Sequence, residues 1–266
     1  MIIESVLVVG GLSLAFGLSL AYFAKRFAVR TDPRVAEIRK VLPGANCGAC
    51  GAAGCDAFAE TVVKGDLPLD ACIPGQQEVA KKIADILGQK VTAVKGKNVA
   101  QLHCKGTKEN CKAKFNYQGI KTCESASLIQ DGYKECSYGC LGFGDCVIVC
   151  PFNAIEMQDN GLPSVNKDKC TGCGNCIKKC PKGLFKLVPA DKKVHVLCSS
   201  KDIAKNTIKV CKVGCIACKQ CEKACPADAI HVIDNIAKID YSKCIICGKC
   251  VRVCPRKIIL DEQKSS

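Results

Sequence analysis

Apolar positions follow three different rhythms along this chain. From Ser5 to Ala24, twenty residues carry no charge and most are apolar. At about 1.5 Å per residue a helix of that length spans about 30 Å, the thickness of a bilayer core. The next segment alternates on a helical period. Asp32 is placed to cap a helix that opens at Pro33, runs to about Leu42 and stops before Pro43, with Thr31 just ahead of it. Two more helices are predicted, one after Cys55 (DAFAETVVK) and one over Gln76–Leu87, with Gly88 as its C-cap. Beyond residue 90 the runs are short. VAQLHC (99–104) and VHVLC (194–198) read as strand ends, and His231 falls in a predicted strand.

The first segment reads as a retained anchor. A cleaved signal peptide needs a positive leader and a small-residue cleavage site, whereas the early side-chain charge here is Glu4. Lys25, Arg26 and Arg30 flank its far end, which predicts a single-pass topology in a prokaryotic cell (inner) membrane with the remaining domains on the cytoplasmic side. Ser13 and Gly17 form a small-xxx-small pair able to pack on another helix.

The chemistry lies in 25 cysteines. Four runs in the second half each end in Cys-Pro: Cys136/Cys140/Cys146/Cys150, Cys170/Cys173/Cys176/Cys180, Cys215/Cys218/Cys221/Cys225 and Cys244/Cys247/Cys250/Cys254. The last three match C-x2-C-x2-C-x3-C-P, the bacterial ferredoxin run for [4Fe–4S] clusters, in which the Cys before Pro ligates the other run's cluster. Three close cysteines wrap three iron corners, but so short a chain does not easily reach the fourth. A disulfide framework is disfavoured by the odd count and the vicinal C-x2-C pairs. Zinc suits C-x2-C pairs but not three cysteines within seven residues followed by x3-C-P.

These runs set the ligand assignments. One cluster takes Cys170, Cys173, Cys176 and Cys150. Another takes Cys140, Cys146 and Cys180; its second ligand is missing because Phe143 stands there, and Cys136 is the nearest replacement, with a [3Fe–4S] centre as the alternative. In the last module Cys215, Cys218, Cys221 and Cys254 form one set, and Cys244, Cys247, Cys250 and Cys225 the other. Nearer the N-terminus, NCGACGAAGC with Cys72 supplies Cys47, Cys50, Cys55 and Cys72 to a separate single-cluster fold, for which spacing alone also admits zinc. That makes five [4Fe–4S] clusters. Cys104, Cys111, Cys123, Cys198 and Cys211 are left over. They are either ligands of a sixth cluster, through Cys104, Cys111, Cys123 and Cys198 or Cys211, or buried small hydrophobes.

An internal repeat underlies this. ECSYGCLGFGDCVIVCPFNAI (135–155) aligns without gaps on VCKVGCIACKQCEKACPADAI (210–230), and the preceding strands pair Cys104 with Cys198. The expected architecture is α+β: a transmembrane anchor (1–27), a small single-cluster [4Fe–4S] domain (28–90), a lysine-rich, cysteine-containing insert (91–134), a 2[4Fe–4S] ferredoxin-like module (135–190), and a linker with a second such module (191–266). Trp is absent and aromatics make up 5%, so clusters must serve in place of bulky cores.

Charge changes the picture less than it first suggests. The formal +14 looks like a nucleic-acid signal, but each cluster with its thiolates carries about −2. Five clusters bring the total near +4, so no nucleic-acid partner is expected. Lysines remain dense from Lys81 to Glu124, either as a solvated surface or as a docking face for a soluble acidic redox partner. No G-x-G-x-x-G follows a strand, and no nucleophile, base or phosphate loop is visible. His103, His195 and His231 show no triad or metal spacing and read as structural.

The anchor, the GANCGACGAAGC…Cys72 segment and the tandem ferredoxin runs together resemble the B subunit of the Rnf/Rsx-type ion-translocating oxidoreductase (ferredoxin:NAD+ oxidoreductase) complex, in an extended form. The resemblance implies a translocase component that works with other membrane subunits and relays electrons from reduced, soluble ferredoxin toward NAD+, with Na+ or H+ movement coupled to it. It implies no catalytic site on this chain beyond electron transfer. The alternatives are a membrane-anchored polyferredoxin serving a different oxidoreductase, and a corrinoid-linked iron–sulfur protein, for which no corrinoid-binding segment is evident.

Overall fold

The computed structural model describes residues 2–27, 32–90 and 96–264. Expectations that rest on Arg30, Thr31 and residues 91–95 lie outside them. Helix α1 (Ile2–Arg26) contains the apolar stretch, and Val6–Arg26 is long and apolar enough to cross a membrane. Its described side chains are exposed along the whole length. The hydroxyls of Ser13 and Ser19 donate to the carbonyls of Val9 and Ala15, each at 2.8 Å, so neither is left unpaired on an apolar surface.

Three helices build the small domain. Helix α2 (Pro33–Val41) starts at Asp32, whose carboxylate accepts from the Arg34 N–H at 2.9 Å, and ends as Leu42 turns extended before Pro43. Helices α3 (Cys55–Lys64) and α4 (Gln76–Leu87) stop at Gly65 and Gly88, both left-handed. Ile38, Phe58 and Ile83 meet in the core between them, and Cys72 is buried in the same cluster.

The rest of the chain repeats one pattern twice. In the first copy the elements are β1 (Asn98–Leu102), α5 (Cys123–Ser127), α6 (Asp145–Ile148), β2 (Ile155–Met157), β3 (Pro163–Val165), α7 (Asn175–Lys179) and β4 (Phe185–Pro189). In the second they are β5 (Val194–Val196), α8 (Ala204–Val210), α9 (Gln220–Lys223), β6 (Ile230–Ile233), β7 (Ile236–Ile239), α10 (Lys249–Val253) and β8 (Ile259–Asp261). The inner hairpins β2–β3 and β6–β7 are antiparallel, the latter turning on left-handed Asp234 and Asn235. The outer strands close each copy. β1 pairs with β4 from Asn98↔Pro189 to Leu102↔Phe185, and β5 pairs with β8 from Val194↔Asp261 to Val196↔Ile259. The lysine-rich segment is therefore not separate in space, because its strand completes the sheet of the run downstream of it.

The two copies are tied together. His103 Nδ1–H donates to the Val196 carbonyl at 2.8 Å, Ser199 Oγ donates to the His103 carbonyl at 2.9 Å, and Lys105 Nζ donates to the Lys257 carbonyl at 2.9 Å. His195 is fully buried at the same junction. It accepts from Lys167 Nζ on Nε2 (3.2 Å) and donates from Nδ1 to Tyr241 Oη (2.8 Å), while Lys167 pairs with Glu262 at 2.6 Å. The expectation that these two histidines are structural agrees with this packing.

Burial, and then the Lys167 charge, push the His195 pKa down from 6.5 to about 3. The native imidazole stays neutral while the unfolded one takes a proton below 6.5. Stability contributed here is thus present above pH 6.5 and lost as pH falls toward 3, by at most about 1.4 kcal/mol per pH unit. His195→Gln should flatten the fall of the unfolding midpoint between pH 7.5 and 5.5 in anaerobic thermal scans. Equal slopes in the two proteins would rule this out.

Candidate iron–sulfur centres

All four cysteine runs share one backbone. Between the first and third of their close positions, two residues are left-handed: Gly142 and Gly144, Gly172 and Gly174, Ala217 and Lys219, Ile246 and Gly248. Ile246 at φ 58° is notable, since a β-branched side chain avoids that region. Such strain persists where the surroundings over-determine it, typically at a binding site. The double left-handed turn curls the chain so that thiols face inward and N–H groups can approach sulfur. Gly142 has no alternative, as a Cβ there would sit 2.6 Å from the Gly161 carbonyl oxygen. The third cysteine of each run lies among the first residues of a short helix, α6, α7, α9 or α10.

These loops bring thiols together in fours. Cys150, Cys170, Cys173 and Cys176 line one cavity, and Cys225, Cys244, Cys247 and Cys250 line another. Cys215, Cys218 and Cys254 surround Cys221 closely enough to act on its ionisation. Cys47, Cys50, Cys55 and Cys72 line a further cavity in the small domain. The cysteine before proline does cross to the neighbouring run in each pair. Backbone N–H groups also reach sulfur: Ala100 to Cys170 at 3.4 Å, Ala154 to Cys150 at 3.4 Å, and Ala229 to Cys225 at 3.3 Å.

Placement departs from the sequence expectation at one set. Cys136 is not beside Cys140, Cys146 and Cys180. Cys123 is, and these four line one cavity. Two contacts explain the substitution. Phe143 turns away to pack on Tyr117 and Tyr133, with ring centroids 5.6 Å from each, so the usual second position points into an aromatic cluster. Asp145, 4% exposed, accepts from the N–H groups of Cys123 (2.9 Å) and Glu124 (3.2 Å), which holds the start of α5 against the run. A carboxylate at a helix N-terminus is favourable there. Sequence reasoning missed Asp145. Its one signal is an acid where the other runs carry Asn175, Gln220 and Lys249. Cys136 instead joins Cys104, Cys111, Cys198 and Cys211 around a further cavity.

The donor chemistry suits clusters. Burial pushes the thiols of Cys140, Cys146, Cys176 and Cys221 up to about 12, and those of Cys72 and Cys250 to about 11. Bare thiols this high are protonated at neutral pH and are poor nucleophiles, so metal must displace their protons. Among the described residues, no three His, Cys, Asp or Glu side chains converge tightly enough for a single metal ion. One zinc would draw its thiolates to about 3.8 Å from each other. Among the described residues the thiols do not converge as tightly as one ion requires, which leaves room for a multi-iron core.

Fold and site together define a multi-cluster iron–sulfur protein. An Fe-S cluster family model matches residues 42–74, and a 4Fe-4S dicluster domain model matches residues 135–184 and 214–258. The B subunit of the ion-translocating oxidoreductase complex of Methanosarcina acetivorans is 45% identical over 91% of this chain and 91% of its own. The B subunit of the Na(+)-translocating ferredoxin:NAD(+) oxidoreductase complex of Acetobacterium woodii is 45% identical over 89% of this chain and 71% of its own. The proton-translocating counterpart from Clostridium ljungdahlii is 43% identical over 87% and 81%. The chain belongs to the family of B subunits of ion-translocating oxidoreductase complexes.

Cys123→Ser should remove the fourth thiolate from the Cys140 set and convert it to a three-iron centre, visible as a new EPR signal in the oxidised protein. Asp145→Ala should do the same to a smaller fraction of molecules by freeing α5. Cys136→Ser should leave that centre intact. A three-iron signal from Cys136→Ser and none from Cys123→Ser would reverse the placement.

Proposed function

We propose that this chain is the electron-relay subunit of a membrane complex that passes electrons from reduced ferredoxin toward NAD+ and couples the transfer to Na+ or H+ translocation. The observation that carries this is a set of five four-thiol sites in one chain, on relatives whose names state that activity. The ligands are Cys47, Cys50, Cys55 and Cys72; Cys150, Cys170, Cys173 and Cys176; Cys123, Cys140, Cys146 and Cys180; Cys215, Cys218, Cys221 and Cys254; and Cys225, Cys244, Cys247 and Cys250. Each [4Fe–4S] group, when bound, takes up and releases one electron at a potential tuned by burial and by hydrogen bonds to sulfur. The residues hold these groups apart from water and supply N–H donors to Cys150, Cys170 and Cys225. NAD+ chemistry and ion movement fall to other membrane subunits.

Helix α1 anchors the chain in the cell membrane, and Lys25 and Arg26 favour the cytoplasmic side for the domains after it. A soluble, acidic ferredoxin is the proposed donor. Cys218 and Cys247 are the exposed thiols, and exposed Lys219, Lys249 and Arg252 flank them. That arrangement offers positive charge where two centres come nearest the solvent, which favours it over the Lys81–Glu124 stretch as the docking face.

Anaerobic holoprotein mixed with reduced ferredoxin should bleach its broad visible absorption, and NADH alone should not. Lys219→Glu with Lys249→Glu should slow the bleaching several-fold at low ionic strength and much less at high salt. Failure of any ferredoxin to bleach the protein would end this reading.

A further inference from the structure

The cavity lined by Cys104, Cys111, Cys136, Cys198 and Cys211 belongs to none of the five sites above. It lies where the two repeats meet. The internal duplication equates Cys104 with Cys198 and Cys136 with Cys211, so each copy contributes one strand-end thiol and one thiol four residues ahead of its run. The structure preserves that equivalence in its hydrogen bonds. Cys140 N–H points at Cys104 Sγ at 3.5 Å, and its counterpart Cys215 N–H points at Cys198 Sγ at 3.4 Å. The Gly106 N–H adds a second donor to Cys104 at 3.4 Å. Apolar relics of duplication would not need donors aimed at sulfur.

A second observation is independent of the thiols. Lys134 is 2% exposed and donates to the Gly106 carbonyl at 3.1 Å. No carboxylate pairs with it among the described residues. An ammonium buried without a counter-charge is costly. Gly106 lines this cavity, so the ammonium group sits beside it, and an anion held by the thiols would be the missing partner.

We propose that this junction holds a sixth [4Fe–4S] cluster, ligated by Cys104, Cys198, Cys211 and one member of the Cys111–Cys136 pair, and that it joins the two ferredoxin-like modules. The cavity offers five thiols where a cubane takes four, and Cys111 and Cys136 act most directly on each other, so the pair supplies a single ligand. The site also revises the set expected from sequence, exchanging Cys123 for Cys136. Position gives it a purpose. Cys47 lies near Cys173 and Cys146 near Cys176, which places neighbouring sets side by side in the first half, and α9 packs on α10 in the second. Cys104 and Cys198 touch the Cys140 loop and the Cys215 loop respectively, so the junction stands between the halves.

The inference rests on the iron–sulfur reading above, and its test separates the two. Iron and acid-labile sulfide per chain are measured on anaerobically purified, full-length protein and on two variants, Cys198→Ser and Cys111→Ser/Cys136→Ser. The expected result is about 24 irons for the parent chain and about 20 for each variant, with the EPR signals of the other centres retained. Cys111→Ser alone should keep about 24, since Cys136 remains. About 20 irons in the parent and no loss in either variant would overturn the sixth cluster while leaving the five-cluster carrier intact. A parent chain with no iron would overturn both.

Discussion

Four thiolates must meet around each iron–sulfur core, and a tight loop of this chain delivers only three. Everything beyond the loops stems from finding the fourth. In the two repeats the cysteine before proline crosses over, so each run completes its neighbour's site and the paired sites cannot be assembled separately. Where Phe143 has removed a local thiol, a distant helix is held in place by Asp145 to bring Cys123. In the small domain Cys72 comes from beyond α3 to face the Cys47 loop. Ligation therefore supplies long-range closure in a chain whose strands are three to five residues long.

The same requirement makes metal and fold one problem. Cys140, Cys146, Cys170 and Cys176 sit in a single buried cluster with Val99, Leu184 and Phe185, and Cys215 and Cys221 occupy the corresponding cluster of the second copy. Burial opposes the ionisation of Cys140, Cys146, Cys176 and Cys221, so an iron-free chain would have protonated sulfur at these positions in each core. Short hairpins of this kind are marginal alone. The metal-free chain has little else to hold them, given no Trp and few aromatics.

How much could be read in advance depended on the distance over which each signal acts. The Asp32 cap, the Gly88 stop and the α4 span are local, and the sequence pattern placed them well. The crossing of Cys150 into the 170 run and of Cys225 into the 244 run was legible because the repeat carries it in its spacing. Cys123 was not. Its assignment depends on Asp145, 22 residues away, and on the side to which Phe143 turns, which is set by Tyr117 and Tyr133. Pairing of β1 with β4 was equally hidden, because the intervening lysines made the segment look like an insert while its strand was already committed to the downstream sheet.

Charge bears on the same closure. A chain of +14 would be poorly suited to close packing of two basic modules, yet the modules share hydrogen bonds through His103, Ser199 and Lys105, and Lys134 is buried against Gly106, which lines a cavity built from both. Each four-thiolate core adds about −2, so the positive excess makes physical sense only for the metal-loaded protein. The distribution matters as much as the total. Lysines on the outside can be screened by salt, but Lys134 cannot, because water does not reach it. A buried cation beside Cys104, Cys111 and Cys140, next to a cavity that the second half completes with Cys198 and Cys211, is what one expects if the duplication was retained together with an anion at that junction. On that view the two halves are one conductor with a shared middle section.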